Sequence, residues 1–474
     1  MPINSQPLFD CAVIGLAVMG QNLARNIASR GYRVAVYNRT AARAQEFAAA
    51  HPNPNIAVAP DLPSLAAMLQ RPRRVILMVQ AGAAVDAVLS DLKNFLEPGD
   101  IIIDGGNSYF ADTERRSAEL ARDGLLYLGV GISGGEEGAL HGPSIMPGGP
   151  REAYDAVAPI LTAIAARASD GEPMVAYLGP NPVGHYVKMV HNGIEYAFME
   201  TIAEVYDVLL RGLAMDTAEL ADVFTTWSAT EVRSFLVEIS GPILRQRAPD
   251  SRLPLIDLIL DAAEQKGTGM WTSQQALTLG VPTPTITAAV EVRQMSAFKE
   301  QRVVASRVMY GPLALYDGDA DALLGMARNA LYLSVVVAFA QGMVLLKTAS
   351  DAHGWNLDLA AVASIWRAGC IIRAAVLDDI VATFRARPDL DNLLLGDAFL
   401  DAFRHRDAAW RGFLRAAIDL GVPTPAVSAS LAYYDAYRSS RLPANLIQAQ
   451  RDYFGAHTYQ RIDRPGVFHT LWDG

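Results

Sequence analysis

F-D-C-A-V-I-G-L-A-V-M-G-Q-N-L-A-R-N-I-A-S-R-G-Y-R-V-A-V-Y-N-R-T, residues 9–40, sets the architecture of the first half of the chain. It opens with a short apolar run over 9–14 and passes into Gly15-Leu16-Ala17-Val18-Met19-Gly20. A helical pattern follows to Arg30, Gly31 ends it, and residues 32–37 read as a second strand. Strand, glycine turn, helix, strand is the unit that binds a dinucleotide. Gly15 permits the tight turn, Ala17 is small enough for backbone to approach a pyrophosphate, and Gly20 lets the helix pack on the strand. The helix N-terminus then faces the phosphates. An NAD site usually carries Asp or Glu at the end of the second strand. Here Asn38-Arg39-Thr40 stands there. A carboxylate would repel a 2′-phosphate, whereas Arg39 with the Asn38 and Thr40 side chains would bind it, so NADP is the expected cofactor.

Further βα units follow. Residues 74–79 read as a buried strand with Gln80-Ala81-Gly82 as its exit. Residues 101–104 form another, leaving through Gly105-Gly106-Asn107-Ser108, and residues 126–130 a third, leading into Gly131-Ile132-Ser133-Gly134-Gly135-Glu136-Glu137-Gly138. Ligands of open α/β sheets gather at the carboxyl ends of the strands, where all these glycine-rich exits fall. Ser133, Gly134 and Gly135 offer a hydroxyl and bare amides to a substrate, and Asn107 is placed to touch both substrate and cofactor. The cofactor candidates are Gly15, Leu16, Ala17, Val18, Met19, Gly20, Asn38, Arg39, Thr40, Val79, Gln80, Ala81 and Asn107.

Beyond Val183 strand signals thin out and long apolar-periodic segments predict an all-helical region. Within it, V-K-M-V-H-N-G-I-E-Y over 187–196 reads as a short helix with Lys188, His191, Asn192 and Glu195 at i, i+3, i+4 and i+7. Those offsets share one face. A base-capable amine and an acid-capable carboxyl stand about 10 Å apart along the axis, enough for a small substrate to meet one at each end. The region also repeats: Leu279 to Pro284 recurs as Leu420 to Pro425, Trp227 and Trp366 sit in similar contexts, and Asn192 and Asn329 open similar helices. Nearly equal offsets of 141, 139 and 137 indicate a duplicated helical unit. Gly325 and Tyr332 fall where Lys188 and Glu195 stand in the first copy, so the second copy reads as structural. Gln265-Lys266-Gly267-Thr268-Gly269 offers a cation and a hydroxyl in a flexible glycine turn, a plausible phosphate cradle, and Arg293 lies on a later helix. The tail carries Arg451 and His457 among aromatics, interface and anion-binding types.

Net charge is −10 with a pI near 5.3, which argues against a nucleic-acid partner. Two cysteines, Cys11 and Cys370, argue against a disulfide scaffold and fit a reducing compartment, and no metal-ligand spacing surrounds them. The first residues have no charged leader or apolar h-region, so a cytoplasmic location is expected. Residues 329–346 carry no formal charge, but Asn329, Ser334, Gln341 and Gly342 make them a buried core helix rather than a membrane span.

Taken together, G-L-A-V-M-G-x-N-L-A, V-Y-N-R-T, I-D-G-G-N-S, G-I-S-G-G-E-E-G-A, H-G-P-S-I-M-P-G-G, V-K-M-V-H-N-G-I-E-Y, Q-K-G-T-G, I-W-R-A-G-C-I-I-R and Q-A-Q-R-D-Y-F-G-A-H-T-Y run nearly end to end. They resemble the decarboxylating 6-phosphogluconate dehydrogenases of the β-hydroxyacid dehydrogenase superfamily. The resemblance implies an α/β Rossmann-type domain over 1–181, a large all-α domain with an internal duplication over 182–440, and an extended tail over 441–474 reaching into the partner subunit of a homodimer. It implies oxidation of 6-phospho-D-gluconate by NADP to ribulose 5-phosphate and CO2, in the pentose phosphate pathway and without metal. It gives Lys188 the role of general base and Glu195 that of general acid. Asn107, Ser133, Gly134, Gly135, His191, Asn192 and Tyr196 match substrate contacts. Lys266, Thr268 and Arg293, with Arg451 and His457 from the partner's tail, match the surroundings of the phosphate. Three positions depart from the pattern: Gln80 replaces a lysine, Leu140 an arginine and Met270 a lysine. Gln80 removes a positive charge near the cofactor phosphates. Two rival readings are a non-decarboxylating β-hydroxyacid dehydrogenase and a catalytically silent NADP-binding sensor. The tail and the K-G-T-G turn argue against the first, and the intact Lys188 and Glu195 against the second.

Overall fold

Short, largely apolar strands build the first half, because both faces of their sheet are covered by helices. The computed structural model describes residues 8–265, 267–312 and 314–472. One sheet contains β1 (Cys11–Ile14), β2 (Val34–Tyr37), β3 (Ile56–Val58), β4 (Arg74–Leu77), β5 (Ile101–Asp104), β6 (Leu126–Ser133) and β7 (Ser144–Gly148). Their order is β3-β2-β1-β4-β5-β6-β7, parallel except for β7, which pairs antiparallel with β6. Strand order reverses between β1 and β4, so the ligand crevice of a doubly wound sheet opens at their carboxyl ends.

The strand ends differ from the sequence reading in two places. β4 stops at Leu77 rather than residue 79. β6 runs on to Ser133 instead of ending at residue 130, because β7, which residue alternation did not reveal, supplies a ladder as far as Ser144. Ser133 therefore belongs to a rigid strand. Gly134 takes a left-handed conformation and Gly135 opens the helix Gly135–His141.

The reacting-group helix is not short: it spans thirty residues, Val183–Gly212. It docks on β6 and β7 almost backbone to backbone. A Cβ on Gly184 would lie 2.1 Å from the Gly129 carbonyl oxygen, and one on Gly131 would lie 2.4 Å from the Lys188 Cβ. Glycine at these places lets the helix sink onto the sheet and sets Lys188 at its carboxyl edge.

The duplication is visible as a reciprocal exchange between halves. The helices Pro284–Ser296 and Pro425–Tyr437 follow the two L-G-V-P-T-P segments, each with proline in its first turn. Neither has a side-chain cap of its own. Gln341, on the 34-residue helix Ala320–His353, accepts from the amides of Thr285 (3.1 Å) and Ile286 (3.4 Å). Glu204, on Val183–Gly212, accepts from those of Ala426 (2.6 Å) and Val427 (2.8 Å). Each half caps a helix of the other, which satisfies donors that would otherwise be orphaned in the core.

Burial raises the Glu204 carboxyl to about 8, against the pull of its two amide partners. Its folded pKa thus lies above the ordinary value of 4.5, so the native state holds the extra proton, and stability declines as pH rises from about 4.5 to about 8. Glu204→Gln, which copies the device of Gln341, should fold normally and flatten that decline, read as Tm at pH 5 and pH 8. Glu204→Leu leaves two buried amides without an acceptor and should cost about 2–4 kcal/mol at either pH.

Ala320–His353 is the one helix of the described residues long and apolar enough to cross a membrane, and 83% of its most apolar window is buried inside the helical region. It is the core helix that residues 329–346 predict. The tail is ordered rather than loose. Asp452, on the helix Ala444–Gly455, accepts from the amides of Thr458 (2.9 Å) and Thr470 (3.0 Å) and from Trp472 Nε1 (2.9 Å), and its carboxylate lies 2.9 Å from His469 Nδ1. These contacts fold a small hairpin, Tyr459–Gln460 with Val467–Phe468, back onto the helix.

Candidate active site

At the nucleotide end, Gly15 adopts φ +97°, and a Cβ on Gly20 would lie 1.9 Å from the Gly15 carbonyl oxygen. A Cβ on Gly15 would in turn lie 2.5 Å from the Met78 carbonyl oxygen at the exit of β4, so neither place has room for a side chain. Ala17 caps the helix Val18–Ser29 without a side-chain hydrogen bond, so the first-turn amides remain free for an anion. Leu16, Val18 and Met19 flank that turn. Asn38 does something the sequence did not suggest: its Oδ1 accepts from the Leu16 amide (3.0 Å) and its Nδ2 donates to the Thr40 carbonyl (3.0 Å). It ties the glycine turn to the end of β2 and is a positioning residue more than a phosphate ligand. Arg39 and Thr40 are exposed beside it, at the N-terminus of the helix Ala41–Ala50. The residues fit a 2′-phosphorylated dinucleotide: a helix start without a side-chain cap, a glycine turn and the exposed Arg39 are brought together. Val79, Gln80 and Ala81 form the β4 exit, with Gln80 exposed.

The β5 exit carrying Asn107 is held from below. Asp104 accepts from the Gly106 amide (3.1 Å), Ser108 Oγ (2.6 Å) and Tyr127 OH (2.8 Å). Buried His185, a residue the sequence reading passed over, lies with Nε2 3.1 Å from the Asp104 carbonyl oxygen and Nδ1 2.7 Å from Thr113 Oγ1. It pins the long helix to β5. Only the fold brings these partners together, so local pattern gave no signal for His185. Asn107 itself is exposed above this network.

The substrate candidates converge on the buried face of Val183–Gly212. Lys188 Nζ donates to Asn192 Oδ1 at 2.7 Å, and Asn192 Nδ2 donates to Thr268 Oγ1 at 3.1 Å. His191 Nδ1 lies 3.0 Å from Asn192 Oδ1, and its Nε2 lies 3.2 Å from Ser133 Oγ. Lys188 Nζ also lies 3.4 Å from His191 Nδ1; with Lys188 as the free amine, the Asn192 oxygen, which can only accept, takes a hydrogen from Nδ1 and leaves Nε2 to accept from Ser133. That is a neutral imidazole, and burial, then the nearby Lys188, hold the ring well below its ordinary pKa. Lys188 is 6% exposed, and burial lowers its pKa against the opposing field of Glu195. Burial raises Glu195, opposed by Lys188 and Arg293. The site therefore brings the amine toward its neutral form and the carboxyl toward its protonated form.

Thr268 is not in a flexible turn. It begins the helix Thr268–Thr278, with left-handed Gly267 as the cap. Gly269 presses on the ring of Tyr196, and the Arg293 guanidinium lies over that ring, 3.6 Å from its centroid. Tyr196 is thus buried and orients Arg293. Lys266 lies outside the described residues. Arg451 and His457 are exposed on the tail.

The second helical copy is not merely structural. Trp366 packs edge-on against His191 with ring centroids 5.7 Å apart. The Gly369 carbonyl accepts from the Ser144 amide (2.8 Å) and lies against Gly134. Cys370, fully buried and pushed up to about 12 by burial, sits within electrostatic reach of Lys188. Residues 365–371 thus form the back wall of the site.

A Rossmann crevice facing a buried amine–carboxyl pair defines a dinucleotide-dependent dehydrogenase of a small polar substrate. Residues 10–179 match the NAD binding domain of 6-phosphogluconate dehydrogenase, and residues 184–472 match the 6-phosphogluconate dehydrogenase C-terminal domain. The chain belongs to the 6-phosphogluconate dehydrogenase family. It is 50% identical over 461 residues to the decarboxylating 6-phosphogluconate dehydrogenase of Lactococcus lactis subsp. lactis (strain IL1403), covering 97% of this chain and 98% of that one. It is 51% identical over 460 residues to the enzyme of the same name from Escherichia coli (strain K12), with the same coverage of 97% and 98%. Plasmodium falciparum 6-phosphogluconate dehydrogenase, solved in its apo form, with its cofactor NADP+ and with its substrate 6-phosphogluconate, superposes with a TM-score of 0.94 at 42% identity, over 98% of this chain and 100% of that one.

Proposed function

We propose that this chain oxidises and decarboxylates 6-phospho-D-gluconate to D-ribulose 5-phosphate and CO2 while reducing NADP. The observation that carries the reading is the buried Thr268–Asn192–Lys188 chain at 3.1 and 2.7 Å, beside neutral His191 and Ser133 at the carboxyl edge of the sheet. Lys188, in its free-amine form, takes the proton of the carbon-3 hydroxyl. NADP, held by the Gly15 turn and Arg39, supplies the hydride acceptor. The ketone so formed lies β to the carboxylate, so CO2 leaves with its bonding electrons passing into an enediol, and the protonated Lys188 steadies the developing oxyanion. Glu195 then gives its proton to the carbon that bore the carboxylate. Asn107, Ser133, Gly134, Gly135, His191, Asn192 and Tyr196 orient the sugar acid. Thr268 and Arg293, with Lys266, hold the phosphate, joined by Arg451 and His457 of a second copy.

A homodimer is part of this reading. Ile447, Tyr453, Phe454 and Ile462 are exposed on the tail of the single chain, more apolar surface than an isolated terminus keeps in water. Residues 1–181 then hold the cofactor, 182–440 the reacting groups, and 441–474 lie across the partner, in a cytoplasmic enzyme.

The test is NADPH formation from 6-phosphogluconate with CO2 trapped, run beside NAD. One CO2 per NADPH supports the reading. Reduction without CO2 would transfer the chain to the non-decarboxylating dehydrogenases, and no reduction by folded, NADP-binding protein would leave a sensor. Arg39→Ala should raise the KM for NADP about 10–100-fold, the worth of a charged hydrogen bond, and leave that for NAD unchanged. An equal effect on both cofactors would remove Arg39 from the 2′-phosphate.

A further inference from the structure

Residues 233–235 and 373–375 hold equivalent places in the two helical copies, 140 residues apart. In the fold they meet. The Phe235 amide donates to the Arg373 carbonyl (3.0 Å), and the Ala375 amide to the Arg233 carbonyl (2.9 Å). Ser234 and Ala374 form an antiparallel bridge between them. Each segment then opens an eleven-residue helix, Phe235–Arg245 and Val376–Ala386. The internal pseudo-dyad so places two arginines and the starts of two helices around one point, the first of them capped by Ser234 Oγ on the Val237 amide (3.2 Å).

A cavity of about 220 Å³ lies at that point, lined by Arg167, Arg233, Arg367 and Arg373 and by first-turn residues of both helices. The carboxylates facing it are Glu238 and Asp378. Arg367 is already neutralised by Asp170 (2.6 Å) and Glu172 (2.8 Å), with Asp378 at 3.6 Å. Among the described residues no carboxylate oxygen lies within 4.0 Å of the side-chain nitrogens of Arg167, Arg233 or Arg373. Arg373 is half-buried, lies over the Phe235 ring at 3.8 Å, and donates to the Cys370 carbonyl (3.0 Å). With Asp170, Glu172 and Asp378 gathered on Arg367, Glu238 is the carboxylate left facing the half-buried Arg373 and the exposed Arg167 and Arg233. A half-buried guanidinium such as that of Arg373 is costly without an anionic partner, and forked donors around a small cavity suit an oxyanion of more than one charge.

We propose that this cavity is a second anion site, taking a small phosphate-bearing molecule, and that its occupancy is felt at Lys188. The connection is the segment 366–373. One end carries Arg373 into the cavity. The other forms the back wall of the catalytic site through Trp366 against His191 and the Gly369 carbonyl on Ser144 and Gly134. An anion that draws Arg373 toward itself pulls on that wall.

The probe is pyrophosphate, titrated calorimetrically into the full chain held in saturating 6-phosphogluconate and NADPH, a pair that cannot turn over. One saturable site per chain is expected. The double variant Arg167→Gln/Arg233→Gln, both exposed side chains outside the catalytic site, should bind at least tenfold more weakly while kcat and KM without pyrophosphate stay within twofold. At saturating substrates pyrophosphate should change kcat in the wild type and not in the double variant. If 6-phosphogluconate fails to fill the catalytic site, a second site per chain appears, and only the one lost in the double variant belongs to the cavity. No saturable binding, or equal binding by both proteins, overturns the site. Binding that leaves kcat untouched overturns the coupling.

Discussion

Lys188→Met will lower kcat by about three orders of magnitude or more, within the range a general base contributes, while the Kd for NADP stays within about twofold. Methionine keeps the length and the apolar stem but offers no lone pair of suitable basicity. The replacement also removes a cation that burial has already destabilised, so the variant should be at least as stable as the parent. That separates loss of chemistry from loss of fold: a lower Tm together with low activity would speak for a structural lysine. Lys188→Arg should be as inactive as the methionine variant, because a guanidinium does not give up its proton at any working pH. In the parent, the acidic limb of kcat/KM should report Lys188, displaced below the ordinary lysine value of 10.5 by burial. Turnover near normal in Lys188→Met would end its assignment as base.

Glu195→Gln ranks second, with kcat lower by about 10²–10⁴-fold and KM little changed. The amide keeps the shape and the hydrogen-bonding reach of the carboxyl. It cannot donate a transferable proton. Burial pushes Glu195 above the ordinary carboxyl value of 4.5, and the fields of Lys188 and Arg293 oppose the rise. The acid form therefore persists nearer to neutrality, and the alkaline limb of the parent's kcat profile should belong to it and vanish in the variant. A more selective readout is exchange of the carbon-1 hydrogen of ribulose 5-phosphate with solvent. The parent should catalyse it and Glu195→Gln should not. Exchange at the parental rate would move the proton donor elsewhere, with His191, 3.7 Å from the Glu195 carboxylate, as the neighbour to examine.

Much of the site was legible because its logic is local. Lys188, His191, Asn192 and Glu195 lie within two turns of one helix, so 3.6-residue periodicity alone puts them on one face. Gly20 marks the nucleotide turn for the same reason, since the atom it must avoid is the Gly15 carbonyl five residues back, whereas Gly15 is also hemmed in by Met78 from β4. The length of that helix, the reach of β6 to Ser133 and the helical state of Thr268 were misjudged, because each depends on a neighbour distant in sequence. β6 is extended by β7. The long helix is carried past its local pattern by packing on glycine-lined strands and on its repeat partner.

The family, the dinucleotide turn, the duplication and the set of side chains on the reactive face can all be read from the chain alone. These follow from spacing, and spacing is a property of the chain. Their chemical state comes from contacts between segments far apart in the chain. Ser133 reaches His191 across 58 residues and Thr268 reaches Asn192 across 76, while Trp366 arrives from the second helical copy to close the wall. Those three elements exclude water, and exclusion of water moves Lys188 down and Glu195 up. An identical face left in solvent would be an ordinary charged stripe.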